Sequence, residues 1–240
     1  GNIAIQAEWD KIKQAISTNG DLTYIEEKTF DFTGDYYIFE KDNNLNFDLN
    51  FDNTDIQFTN AFMDPKVLSE IRGMLFGKID LGGTFTHPIV DGTIDLKGGS
   101  MFMDILGVHL GVDGPINVDK DGFYIDDVPV FDEDGNSGKV IGTVHHNNFQ
   151  DFNFNLQLDL ESLSNSNSSF GSNAANKFLV MNLPYSPDVS YYGKGYATGS
   201  ATILGYTNNL SINVDVKTEE ETTINIPMYG IGEIEDEGFI

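Results

Sequence analysis

Strict alternation of large apolar side chains with Asp, Asn and Gln most limits what this chain can fold into. Phe47-Asp48-Leu49-Asn50-Phe51 shows it, as does Phe152-Asn153-Phe154-Asn155-Leu156-Gln157-Leu158-Asp159-Leu160. Successive strand side chains point to opposite faces, so a period of two separates an apolar face from a wet one. The pattern returns at Ile94-Asp95-Leu96, Ile212-Asn213-Val214-Asp215-Val216 and Ile224-Asn225-Ile226. Nearly the whole chain therefore reads as one-sided sheet with almost no helix to cover it. What covers or fills the apolar side is the functional question.

The 240 residues suit one large all-β domain or two smaller ones, and at 40 % hydrophobic they can bury a sizeable core. There are 38 acidic residues against 13 basic ones, a formal charge of −25. Nucleic acid is excluded as a natural ligand, because a phosphate backbone needs a basic stripe. Direct adsorption to an anionic membrane surface is disfavoured by the same sign argument. The charge suits a soluble outer face and protects strand edges from aggregation. Without cysteine there is neither a disulfide framework nor thiol chemistry, and this leaves the compartment open. No apolar run reaches the ~18 residues of a membrane span. The opening at Gly1 and the apolar Phe239-Ile240 read as cuts through a longer protein.

Along the chain, Ile5, Trp9, Ile12 and Ile16 recur at intervals of three and four, which predicts a helix over residues 6–17 stopped by Asn19-Gly20. A second short helix is predicted at Asp64–Ile71, with Asp64 as N-cap and Pro65 in its first turn. The rest reads as strands of five to ten residues between Gly, Asn and Asp turns. Three hairpins look alike: 74–82 with 89–96, 138–145 with 151–160, and 196–204 with 210–217. Their turns recur about every 60 residues, as in a sheet that grows in one direction. The Ser/Asn-rich run 161–173 reads as a flexible loop.

No residues assemble into a catalytic motif. Gly-rich phosphate loops, G-x-S-x-G and H-E-x-x-H are all missing. His145 and His146 are strand neighbours that point to opposite faces, so they cannot chelate one ion together; His87 and His109 stand apart. Asp119-Lys120-Asp121-Gly122 and Asp132-Glu133-Asp134-Gly135-Asn136 invite a calcium reading. Gly falls fourth in both, Glu133 is too early, and Asp-Gly is a common turn pair. The strand carboxylates lie on the predicted solvent face, where no desolvated glycosidase acid could form. No cofactor, metal site or enzyme activity is expected.

The apolar stripe carries the functional weight. It comprises Phe47, Leu49, Phe51, Ile79, Leu81, Ile94, Leu96, Phe152, Phe154, Leu156, Leu158, Ile203, Ile212, Val214, Val216, Ile224 and Ile226. Two sheet halves could close on it as a dry sandwich core ~10 Å thick. Alternatively it lines an open trough that holds apolar ligands.

One stretch also resembles a known family. Gly77-Lys78-Ile79-Asp80-Leu81-Gly82-Gly83-Thr84-Phe85-Thr86-His87-Pro88-Ile89-Val90-Asp91-Gly92 is similar to the recurring strand-turn-strand unit of the TamB family, translocation and assembly module proteins of the AsmA-like superfamily. Gly142–Phe149, Tyr192–Gly199 and Thr222–Pro227 resemble its further units, and Leu68–Gly73 its start. The likeness spans residues 68–240. Residues 1–67 share only the repetitive style, and 161–173 resembles an insertion. The resemblance implies an elongated, mainly antiparallel sheet folded into a U-shaped trough, a β-taco, with an apolar interior and one or two short helices. About 15 strands at ~4.8 Å spacing would make it roughly 65 Å long. It further implies a periplasmic protein anchored in the inner membrane that reaches an Omp85-type, TamA-like barrel at the outer membrane. The implied roles are conducting phospholipids by their acyl chains and supporting outer-membrane protein assembly. Rival readings are a chaperone that binds outer-membrane strands by β-augmentation and a closed adhesin-like or carbohydrate-binding sandwich.

Overall fold

A computed structural model describes residues 1–24, 27–62, 69–160, 177–187, 190–206 and 209–227. Its strands are β1 (Asn2–Asp10), β2 (Ala15–Tyr24), β3 (Glu27–Tyr36), β4 (Leu45–Asp55), β5 (Ser69–Gly83), β6 (Pro88–Met103) and β7 (Val108–Asp119). They continue as β8 (Gly122–Phe131), β9 (Ser137–Asn147), β10 (Gln150–Asp159), β11 (Phe178–Leu183), β12 (Tyr192–Tyr206), β13 (Asn209–Thr218) and β14 (Thr223–Asn225). All 14 form one open antiparallel sheet, in the order β1 to β10, then β12 and β11, with β13 and β14 on β12. Among the described residues the count is 14, where about 15 were expected. Every described strand belongs to the same sheet.

The predicted helix at 6–17 is instead the β1–β2 hairpin, closed by a turn at 11–14. Its physical reason is a degeneracy of spacing. An interval of four, as from Ile5 to Trp9, fits a strand as well as a helix. The one odd interval, Trp9 to Ile12, crosses the turn. There Asp10 Oδ1 accepts hydrogen bonds from the Ile12 and Lys13 backbone N–H groups at 2.8 and 3.0 Å, a local turn that competes with helix. The second predicted helix lies largely outside the described residues, and its Ser69, Glu70 and Ile71 open β5. The helical content described is a single 3-10 turn, Gln57–Phe62, tied to β5 by Asn60, whose side chain bonds both Ile71 N and Ile71 O at 2.8 Å. The Ser/Asn-rich run 161–173 lies outside the described residues.

All three predicted hairpins form, as β5–β6, β9–β10 and β12–β13. The β9–β10 turn is a two-residue one, with Asn148 and Phe149 both at positive φ (53° and 59°), the geometry that matches strand twist. Beyond β10 the pattern changes. Leu160 N donates to Gly199 O at 2.8 Å, and Phe178 then pairs with Ala197, so β11 continues the lane of β10 along β12. On the other edge of β12, β13 and β14 share a lane in the same way.

The sheet curls toward its apolar side. Ile79, Val90 and Val118 are buried although no second layer covers them among the described residues. Their neighbours on one curved sheet must supply the cover. Gly92 shows how the backbones come close enough: it sits at φ +155°, and a Cβ there would fall 2.2 Å from Lys78 O. Only glycine permits both. The result is a U-shaped trough with an apolar interior.

Candidate functional site: the inner face of the trough

Residues directly opposite in an antiparallel pair share a face. Following the register from the first strand gives Ile5, Gly20, Phe32, Leu49, Ile79, Gly92 and Val118. The same line continues through Phe123, Val144, Phe154, Gly205 and Leu210. It crosses every strand lane of the sheet without meeting a polar side chain. The face beside it is written in Asp, Asn and Thr, as where Asp48 stands opposite Asp80 and Asp80 opposite Asp91.

Fifteen of the seventeen sequence-predicted lining residues fall on this inner face in register, while Phe152 and Ile226 have no strand partner among the described residues. Phe47 lies opposite Leu81, and Leu49 opposite Ile79. Phe51 packs its ring on Phe30 at 5.2 Å. Ile94 lies opposite Ile116, and Leu96 opposite Gly114. Leu156 lies opposite Ile203, and Ile203 opposite Ile212. Val214 faces Ala201, Val216 faces Gly199, and Ile224 faces Gly193. Phe152 contacts His146 edge-on at 6.1 Å, and Ile226 follows β14, exposed.

Their surroundings differ. Leu49, Phe51, Leu81 and Ile94 pack around the buried Ile79, Val90 and Val118. Leu158 belongs to a dry plug with Val130, Leu160 and Phe178. By contrast Ile212 and Val214 are 63 % and 61 % exposed on β13. The interior is therefore closed in one region and open at the last lane.

At the plug the sheet turns back far enough for β11 to pack on β7. Asn182 N donates to Leu106 O at 2.9 Å, so β11 meets the β6–β7 turn past the end of the β8–β9 hairpin. Val108, Leu179 and Tyr196 are buried there. Asp132 makes the join. Its Oδ1 accepts Asp134 N and Asn136 N at 3.0 and 2.8 Å, and its Oδ2 accepts Leu179 N at 2.7 Å. The second acidic cluster is thus a turn and a clasp. The Tyr196 hydroxyl donates to Asp134, while Lys177 and Lys194 lie 4.3 and 4.9 Å from the Tyr196 ring centre. The hydrogen bond from Tyr196, with Lys194 beside it, holds the Asp134 carboxyl below the usual carboxylate range. Asp119 likewise caps its own turn, accepting Asp121 N and Gly122 N.

At the other end of the strands, His145 and His146 point to opposite faces as expected. His145 Nδ1 lies 3.2 Å from Asp121 O. His146 stacks on Phe149 at 4.4 Å and touches Phe123. Its Nδ1 accepts the Phe149 N–H at 3.3 Å, and burial pushes its pKa down, so it stands neutral among rings. A cleft of about 840 Å³ opens there between His146, Phe152, Asp151 and Tyr206. No group of three or more metal-ligating side chains occurs among the described residues. None of the described helices is long and apolar enough to cross a membrane.

Sequence reasoning missed the inner-face residues of β1 to β3, namely Ile3, Ile5, Trp9, Ile16, Leu22, Phe30 and Phe32. Their signal was present as Ile3-x-Ile5-x-Ala7-x-Trp9 and Phe30-x-Phe32. It also missed Val118, Phe123 and Val144, whose strands are interrupted by Gly and Pro. The fold and its face define an open, single-sheet β protein with a one-sided apolar interior. No protein-family model matches the chain, and no curated protein or solved structure matches it significantly.

Proposed function

We propose that the trough is a non-enzymatic conduit that shields phospholipid acyl chains, in the manner of the TamB-like proteins the sequence resembles. On that reading the protein works in the periplasm as part of an inner-membrane-anchored bridge to an Omp85-type barrel. The observation that carries it is the unbroken apolar or glycine line from Ile5 to Leu210, ending on an exposed row at β13. Exposing one CH₂ to water costs about 0.8 kcal/mol, so a sixteen-carbon chain would face roughly 12 kcal/mol without cover. A continuous apolar face offsets that penalty and leaves the head group in water. The acidic outer face keeps such a section soluble.

The test is mass spectrometry of organic extracts from protein purified without detergent. Phospholipid in near-stoichiometric amount is expected, and an Ile212→Asp/Val214→Asp variant should lose most of it. Both positions are exposed, so the variant's stability should change by only about 1 kcal/mol. A folded wild-type protein that carries no lipid and takes up none from vesicles overturns the reading.

A second reading rests on the outer edge of β13, which pairs with no strand among the described residues and where every residue is exposed. That edge could add an unfolded outer-membrane strand by β-augmentation. Proline in β13 that abolishes client-peptide binding while lipid content is kept would favour it.

A further inference from the structure

Three neighbouring turns stand at the same end of the sheet: 11–14, 37–44 and 84–87. Ile16 opposite Tyr36 places the first two side by side. The third is tied to the second by Gly83 N, which donates to Asn43 Oδ1 at 2.6 Å. Each turn holds an apolar tip out into solvent. Ile12 is 95 % exposed, Phe39 72 % and Phe85 74 %.

These tips are built rather than frayed. Asp10 caps the first turn. Tyr37 N donates to Asn44 O at 2.9 Å across the second. Thr84 and His87 exchange backbone hydrogen bonds at 3.1 and 3.2 Å across the third, with a further bond from His87 N to Thr84 Oγ1. Phe39 leans edge-on against Trp9 at 6.4 Å, and Phe85 lies tilted against Tyr36 at 5.5 Å. Alternate turns are two strands apart, so the tips repeat about every 10 Å.

Charge marks the same edge. The chain as a whole carries −25. In these turns and their flanks Lys11, Lys13 and Lys41 stand against Asp10, Asp35, Glu40 and Asp42, with Lys13 paired to Asp35 at 2.8 Å. The edge is thus close to neutral, at −1, on a strongly acidic molecule.

We propose that this lip docks on a phospholipid bilayer, seating Ile12, Phe39 and Phe85 in the head-group layer. Separate apolar wedges with lysines between them suit an interface that is fluid and polar above, apolar below. A protein partner of stable affinity would instead need a contiguous, complementary patch. That low local charge weakens the repulsion that the rest of the surface would meet at an anionic leaflet. The tips carry this inference, and it does not require the trough to hold lipid.

The experiment is flotation with large phosphatidylcholine vesicles, read alongside Trp9 fluorescence. Trp9 is the only tryptophan and touches Phe39. The wild-type chain should float with the vesicles, and its emission should shift to the blue and be quenched by shallow brominated acyl chains. An I12S/F39S/F85S variant should lose at least ten-fold in bound fraction with an unchanged thermal transition. If the triple variant unfolds, I12S alone should lose about three-fold. A wild-type protein that stays unbound, or variants that float as well as it does, overturns the proposal. Lipid extracts from the same preparations report on the trough separately, so a failure of one reading is not a failure of the other.

Discussion

At the scale of single residues, polar groups decide where this sheet is pinned. Asp35 is the clearest case. It lies almost buried on the outer face, where Lys13 Nζ donates to it at 2.8 Å and Ser17 Oγ at 2.6 Å. The Lys13 hydrogen bond, then that from Ser17, holds its carboxyl below the ordinary value. A carboxyl depressed in the folded state stabilises above its unfolded pKa, near 3.9, and loses that contribution as pH falls through the folded value. Asp35→Asn should therefore lower the melting temperature at pH 7, and by less at pH 3, where the unfolded carboxyl is mostly protonated. Thermal scans across that range check it, and an equal loss at both pH values would show that packing matters there and charge does not. Lys13 is half exposed, so solvent screening keeps the effect modest.

Elements are shaped by where glycine stands opposite bulk. Gly142 sits at φ +145°, opposite Leu156 on one side and Ile125 on the other, and a Cβ there would fall 2.1 Å from Asn155 O. The neighbouring backbones can approach only because that atom is missing, and the approach is what curls β8, β9 and β10 toward the inner face. Gly142→Val should cost about 3 kcal/mol or more, through backbone strain together with a clash that cannot relax cheaply. Urea unfolding should show the midpoint falling. A midpoint that holds would mean the curl does not depend on this glycine. The β11 lane makes a related point. A short strand sealed against the β6–β7 turn closes one region that alternation alone would have left open.

For the whole molecule, 240 residues carry a formal charge of −25. Asp48, Asp80 and Asp91 stand in one row across three strands, where like charges oppose pairing. Self-repulsion of that kind is screened by salt. The melting temperature should rise between 10 mM and 300 mM sodium chloride, and most steeply at the low end. A fall over that range would mean that ion pairs such as Lys139–Asp127 at 2.9 Å outweigh the repulsion.

Alternation of Phe, Leu, Ile and Val with Asp and Asn determined the fold class, the hairpins β5–β6, β9–β10 and β12–β13, and which face is apolar. A period of two is a local property, so it needs no knowledge of neighbours. The N-terminal hairpin was hidden because spacings of four fit strand and helix alike. Val118, Phe123 and Val144 were hidden because glycine and proline broke their runs. Register was beyond the sequence, since pairing is set by contacts between strands far apart in the chain. So was the difference between the plugged region around Phe178 and the open row at Ile212 and Val214, which depends on how sharply the sheet coils. The apolar tips at Ile12, Phe39 and Phe85 are unremarkable as sequence. They become one edge only when antiparallel folding brings three turns to the same end of the strands.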